Sequence, residues 1–158
     1  MTRILMVCLG NICRSPLAEG LMRHHLIQSE LHHITVDSAG TSGWHIGEKP
    51  DKRTRANAAQ HRIDLDSLRA RQFTTDDFSK FDKIYVMDAS NYRDVLALAT
   101  SAEDEAKVDL LLNAIYPNEN RAVPDPYYGG EDGFEEVFQL VNAACERIAQ
   151  QLKAAHHE

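Results

Sequence analysis

Two rhythms of apolar residues run along this chain. Ile4, Leu5, Met6 and Val7 form an unbroken apolar run, which predicts a short buried strand over Arg3 to Leu9. Ile34 to Val36, Lys83 to Met87 and Val108 to Leu112 predict three further short strands. Helical spacing separates them. Leu17, Leu21, Met22 and Leu26 share one face of a helix that opens at Pro16, with Ser15 expected as its N-cap. A second helix is expected over Pro50 to Arg62, and a third over Ser90 to Ala99, where Tyr92, Val95, Leu96 and Ala99 recur. Phe134, Val137, Phe138, Val141, Cys145, Ile148 and Leu152 trace a long final stripe starting near Gly133. Strands alternating with helices imply an α/β fold with a parallel sheet covered on both faces. Ligands in such folds bind beyond the carboxyl ends of the strands. The loop from Leu9 to Ser15 leaves the first strand at that place.

The chain has 158 residues, enough for one domain, taken as residues 1–158 with no repeat or linker. Against 17 basic residues stand 24 acidic ones, a formal charge of −7. No nucleic-acid partner is expected from that balance, and any phosphate site must draw on local positive groups. Between Lys49 and Arg71, seven basic residues (Lys49, Lys52, Arg53, Arg55, Arg62, Arg69, Arg71) face three acidic ones (Asp51, Asp64, Asp66). That stretch is either a solvated helix face or a cationic rim that steers substrate. The three cysteines do not suggest a secreted disulfide framework. Ile4 to Val7 is too short for a leader's apolar core or a membrane span. A cytoplasmic location without membrane attachment is therefore expected. The pairs His24-His25, His32-His33 and His156-His157 are adjacent rather than four apart, so they read as surface histidines and neither metal nor cofactor is expected.

The densest chemistry lies in Cys8-Leu9-Gly10-Asn11-Ile12-Cys13-Arg14-Ser15, where cysteine and arginine bracket five residues between a strand and a helix. A tight loop of inward amides makes an anion cradle, and Gly10 and Asn11 tolerate the dihedrals it needs. The helix start adds unpaired donors, and Arg14 adds a planar fork matched to two phosphate oxygens. These positive groups are expected to favour the nucleophilic thiolate of Cys8. Alone, Cys8 at a strand end reads as an inert core thiol; the loop around it reverses that reading. Asp125 between Pro124 and Pro126 reads either as a turn residue or as a proton donor. Trp44, Tyr127 and Tyr128 supply flat faces for a pocket wall, although a lone tryptophan is often core packing.

The string Val7-Cys8-Leu9-Gly10-Asn11-Ile12-Cys13-Arg14-Ser15-Pro16 resembles the signature of the low-molecular-weight protein tyrosine phosphatase family. Val36-Asp37-Ser38-Ala39-Gly40, Ala70-Arg71-Gln72, Val86-Met87-Asp88 and Asp125-Pro126-Tyr127-Tyr128-Gly129 resemble further landmarks in the family's order. The resemblance implies a three-layer doubly wound sandwich whose central four-stranded parallel sheet has the order 2-1-3-4. It implies hydrolysis of phosphotyrosine and small aryl phosphates, without metal, through a cysteinyl-phosphate. Cys8 would be the nucleophile, Arg14 the phosphate clamp and Asp125 the general acid and base. Leu9, Gly10, Asn11, Ile12, Cys13 and Ser15 would cradle the phosphate, with Ser15 also donating to the sulfur. Trp44, Tyr127 and Tyr128 would hold the ring, and Asn11, Ser38 and Asp88 would brace the site from behind. Cys13 would form a reversible disulfide with Cys8. Ile12 favours phosphotyrosine, since relatives acting on phosphoarginine tend to carry Thr there. His45 and Leu68 depart from the pattern: relatives commonly carry Asn at the first, and some carry His at the second. Implied partners are phosphotyrosine proteins, among them a bacterial tyrosine kinase or its targets, met by a monomer or weak dimer.

Two rival activities fit less well. Thiol-dependent arsenate reduction needs a cysteine relay, and no cysteine lies between Lys80 and Pro117. A non-catalytic phosphotyrosine-binding module would have lost the nucleophile or the acid, and this chain has both Cys8 and Asp125.

Overall fold

A computed structural model describes residues 2–126 and 131–156. In chain order the elements are β1 (Arg3–Cys8), α1 (Arg14–Gln28), β2 (Thr35–Gly40), α2 (Lys52–Gln60), α3 (Asp77–Lys80), β3 (Lys83–Val86), α4 (Ala89–Leu96), α5 (Ala102–Ala106), β4 (Val108–Leu110), a 3-10 turn (Leu111–Ala114) and α6 (Glu131–His156). The four strands pair in parallel in the order β2-β1-β3-β4. They form the middle layer of a three-layer α/β sandwich.

Strand β1 is apolar from Ile4 to Cys8 because it is central and feeds two cores. Ile4, Met6 and Cys8 point to one face, where they meet Leu17 and Leu21 of α1 and Val141, Cys145 and Ile148 of α6. Leu5 and Val7 point to the other and pack with Ile84, Val86, Phe73, Phe78 and Val95. Successive side chains of a strand face opposite ways, so a two-sided strand reads as a run rather than an alternation. Cys145 is sealed within the α6 stripe, and burial pushes its thiol up. No helix among the described residues is long and apolar enough to cross a membrane.

Several boundaries differ from the sequence-based expectation. Strand β2 continues through Asp37 and Ser38 to Gly40, because β1 offers a partner at every position up to Cys8. Helix α2 opens at Lys52 rather than Pro50, and the Asp51 carboxylate caps it by accepting the Arg53 N–H at 2.8 Å. The fourth strand stops at Leu110, where the chain turns into the 3-10 segment. Helix α1 is buried well beyond its apolar stripe: Arg14, Ser15 and Glu19 are inside as well. Its amino-terminal turn forms the floor of the site.

Helix α2 is fastened to α6 through Glu135. Its carboxylate receives Asn57 Nδ2 at 3.0 Å and Gln139 Nε2 at 2.6 Å, and lies 2.8 Å from His61 Nε2. The His61 ring stacks on Phe138 with centroids 3.8 Å apart. The hydrogen bond from Gln139, then those from His61 and Asn57, hold the Glu135 carboxyl down at about 2, below its ordinary 4.5. A depressed carboxyl stabilises the fold above its ordinary value, and that contribution is lost as pH falls through the folded-state value. In thermal melts, wild type should exceed Glu135→Gln in Tm at about pH 5 to 7, and the gap should close towards about pH 2. A gap of equal size at both ends would contradict this assignment.

Candidate active site

The loop after β1 is held by its carbonyls. The Cys8 carbonyl accepts Thr41 N–H at 2.9 Å, Leu9 accepts Ser42 N–H at 2.9 Å, Ile12 accepts Asp51 N–H at 2.7 Å and Cys13 accepts Leu17 N–H at 3.3 Å. The N–H groups of Gly10, Asn11, Ile12, Cys13 and Arg14, by contrast, donate to no described residue. A loop with carbonyls tied to the surrounding chain and amides that donate to no described residue has the donor geometry an oxyanion would need. Asn11 takes the left-handed conformation, φ 57°, at the bend. Gly40 allows β2 to end directly beneath: a Cβ there would lie 2.8 Å from the Leu9 carbonyl oxygen.

A buried hydrogen-bond network fixes the polarity of this floor. Asn11 Oδ1 accepts the Arg71 backbone N–H at 3.0 Å. A backbone N–H can only donate, so the Asn11 amide orientation is settled and Nδ2 must face the hydroxyls. Nδ2 donates to Ser15 Oγ at 2.7 Å and to Ser38 Oγ at 3.0 Å. Ser38 in turn donates to Glu19 Oε1 at 2.7 Å, and the other Glu19 oxygen is paired with Arg23 at 2.7 Å. The Ser15 hydroxyl, already accepting from Asn11, has one proton to place. Its neighbours are Cys8 Sγ at 3.0 Å and the Ala39 carbonyl at 3.3 Å. Ser15 is thus not the helix cap: α1 starts at Arg14, Cys13 occupies the cap position without a side-chain bond, and the Ser15 hydroxyl lies between the Cys8 sulfur and the Ala39 carbonyl instead.

Arg14 is 3% exposed and is anchored through one of its terminal nitrogens. Its Nη1 donates to Asp88 Oδ2 and to the Val123 carbonyl, both at 2.8 Å. Asp88 does two jobs, since its Oδ1 accepts Asn91 N–H and caps α4. Val123 is pinned by donating its own N–H to the Met87 carbonyl at 2.7 Å. That bond ties the segment carrying Asp125 to the end of β3. The Asp125 carboxylate lies 3.8 Å from Arg14 Nη2.

These groups converge on one slot, lined by Cys8, Leu9, Gly10, Ile12, Cys13, Arg14, Trp44, His45 and Asp125. Trp44 stands on its rim, 74% exposed, and is no core residue. Cys13 is buried, and burial pushes its thiol up to about 12, partly offset by the neighbouring Thr54 hydroxyl and reinforced by Asp51, Cys8 and Asp125. It is therefore a neutral thiol near neutral pH. Tyr127 and Tyr128 lie outside the described residues. Among the described residues no group of three His, Cys, Asp or Glu side chains is placed to hold a metal ion.

Sequence reasoning passed over Glu19, Val123 and the backbone of Arg71. Glu19 carried a faint signal, being four residues after Ser15 and so on the same face of α1. Val123 acts through its carbonyl, which leaves no trace in residue identity.

The family model for low molecular weight phosphotyrosine protein phosphatase matches residues 3–158. A putative low molecular weight protein-tyrosine-phosphatase of Synechocystis is 42% identical over 151 residues, 95% of this chain and 96% of the relative. A crystal structure of a protein tyrosine phosphatase from Entamoeba histolytica superposes with a TM-score of 0.91 at 35% identity, covering 99% of both chains. A Drosophila arginine phosphatase superposes with a TM-score of 0.88 at 32% identity, covering 96% of this chain and 98% of the other. The amide cradle after β1, with its cysteine and arginine, thus sits in a chain that belongs, over nearly its whole length, to the low molecular weight phosphotyrosine protein phosphatase family.

Proposed function

We propose that this protein tyrosine phosphatase works without metal through a phosphocysteine, with Cys8, Arg14 and Asp125 as its catalytic residues. The carrying observation is the uncommitted run of amides from Gly10 to Arg14 around Cys8. Cys8 Sγ attacks phosphorus in line, and the bond from phosphorus to the leaving phenolic oxygen breaks. The loop amides and Arg14 hold the three equatorial oxygens, where charge spreads in the transition state. Asp125 gives its proton to the leaving oxygen. In the second step the Asp125 carboxylate takes a proton from water, the water oxygen attacks phosphorus, and inorganic phosphate leaves. Sulfur departs with its electron pair, eased by the Ser15 hydroxyl 3.0 Å away.

Asp88 and the Val123 carbonyl supply orientation, holding the guanidinium before any substrate arrives. Trp44 at the rim suits an aryl ring, and Ile12 gives the slot an apolar wall. An arginine phosphatase is among the structural neighbours; apolar Ile12 supports phosphotyrosine over phosphoarginine here. Protein substrates bearing phosphotyrosine, including a tyrosine kinase or its targets, fit that chemistry.

Cys13, in the same slot, fits a protective role. Peroxide converts the Cys8 thiolate to a sulfenic acid and releases hydroxide; Cys13 then condenses with it, releasing water and leaving a disulfide that a thiol reductant reopens.

Hydrolysis of p-nitrophenyl phosphate in the presence of chelator tests the mechanism. Cys8→Ser should abolish turnover, and Asp125→Asn should lower kcat by about 10²-fold or more. Activity lost on chelation, or retained by Cys8→Ser, would overturn it. For the redox role, wild type inactivated by peroxide should regain activity with dithiothreitol, whereas Cys13→Ser should stay mostly inactive. Equal recovery refutes the role.

A further inference from the structure

The basic stretch from Lys49 to Arg71 sorts into engaged and unengaged cations. Arg53 pairs with Asp51 at 3.2 Å and lies over the Phe134 ring. Arg55 donates to the Pro50 carbonyl at 2.9 Å. Arg69 donates to the carbonyls of Asp66 and Leu68, both at 2.7 Å. Arg71 is clamped by Asp37 and Asp77. Lys49, Lys52 and Arg62 differ: all three are exposed, and none makes a side-chain hydrogen bond or ion pair with any described residue; Arg62 lies away from the slot, beside Ala59 and Ile63.

The position of the two lysines carries the argument. Lys49, Lys52 and Arg55 stand around a hollow that shares Ile12 and His45 with the catalytic slot, so it opens from the slot's own rim. The acids bordering the hollow are already engaged. Glu48 Oε2 lies 2.8 Å from His45 Nδ1, and Asp51 caps α2 and pairs with Arg53. Two ammonium groups with no partner among the described residues, beside a candidate phosphate slot in a chain of net charge −7, leave a local surplus of positive charge.

We propose that this hollow is a substrate subsite for an acidic side chain flanking the phosphotyrosine of a protein substrate, with Lys49 and Lys52 as its cations. The inference rests on the phosphotyrosine reading of the slot. A phosphotyrosine seated over Cys8 would place its own backbone at the slot mouth, within reach of the hollow that shares Ile12 and His45 with the slot. The lysines are solvated, so each contact is weak and salt-sensitive. The effect belongs in KM rather than kcat.

The test uses synthetic phosphotyrosine peptides with Glu-Glu or Gln-Gln placed before, and in a second set after, the phosphotyrosine. Wild type at low salt should favour the Glu-Glu member of at least one set by about three- to tenfold in kcat/KM, through KM. About 0.5 M salt should shrink the preference. Lys49→Gln/Lys52→Gln should erase it while p-nitrophenyl phosphate and Gln-Gln peptide turnover stay unchanged. No preference in wild type, or a preference that survives in the double variant, overturns the subsite. Anionic lipid vesicles that bind wild type and not the double variant, with no peptide preference, would assign the lysines to a membrane surface and also overturn it. Hydrolysis of p-nitrophenyl phosphate without hydrolysis of any phosphotyrosine peptide would instead count against the underlying substrate reading.

Discussion

A short loop that gives away its carbonyls and keeps its amides is the constraint on which this site depends. Backbone groups must be satisfied when buried. Here the carbonyls of Cys8, Leu9 and Ile12 are met by amides from the segment between β2 and α2. That segment therefore supports the loop from outside and leaves the donors of Gly10 to Arg14 uncommitted to any described residue. Gly40 allows the support to sit close, and Asn11 supplies the left-handed bend. An oxyanion would find donors already aimed, with little reorganisation to offset.

The side-chain network underneath turns geometry into chemistry. Its direction follows from one backbone donor, Arg71 N–H, which settles the Asn11 amide. The order then runs through Ser38 to Glu19 on one branch and through Ser15 to the Cys8 sulfur on the other. A buried polar network is costly if half satisfied and rigid if complete. This one ends on a carboxylate that Arg23 partners, so its members all have neighbours. Arg14 follows the same logic: Asp88 and the Val123 carbonyl fix its plane, and Asp88 is itself held as the cap of α4.

The wider fold serves to bring these parts to one end of the sheet. Strand β1, packed on both faces, carries Cys8 to its carboxyl end, and β3 ends at Val86 just before Met87 and Asp88. The bond from Val123 to Met87 returns a distant segment to the same edge and brings Asp125 within 3.8 Å of Arg14. Charge is arranged by the same folding. Four of the basic residues from Lys49 to Arg71 are spent on structure; of the three with no described side-chain partner, Lys49 and Lys52 border the hollow beside the slot, while Arg62 lies away from it.

Local features were legible in the residues themselves. The apolar run of β1, the stripe of α6 and the Cys8-to-Arg14 string each depend on neighbours in sequence, so spacing alone determined strand, helix and anion loop. Long-range pairing decided the rest. Asp37 and Ser38 look unlike strand residues until β1 pairs with them along its full length. Ser15 looks like a helix cap, and becomes a partner of Cys8 because Asn11 and Ala39 arrive beside it. Glu19, the Val123 carbonyl and the orientation of Arg14 arise from contacts up to 109 positions apart. A sequence determines which groups are available and how the chain bends locally. Which hydrogen-bond partner each buried group meets is decided only when distant segments pack, because a donor's direction depends on the acceptor that reaches it.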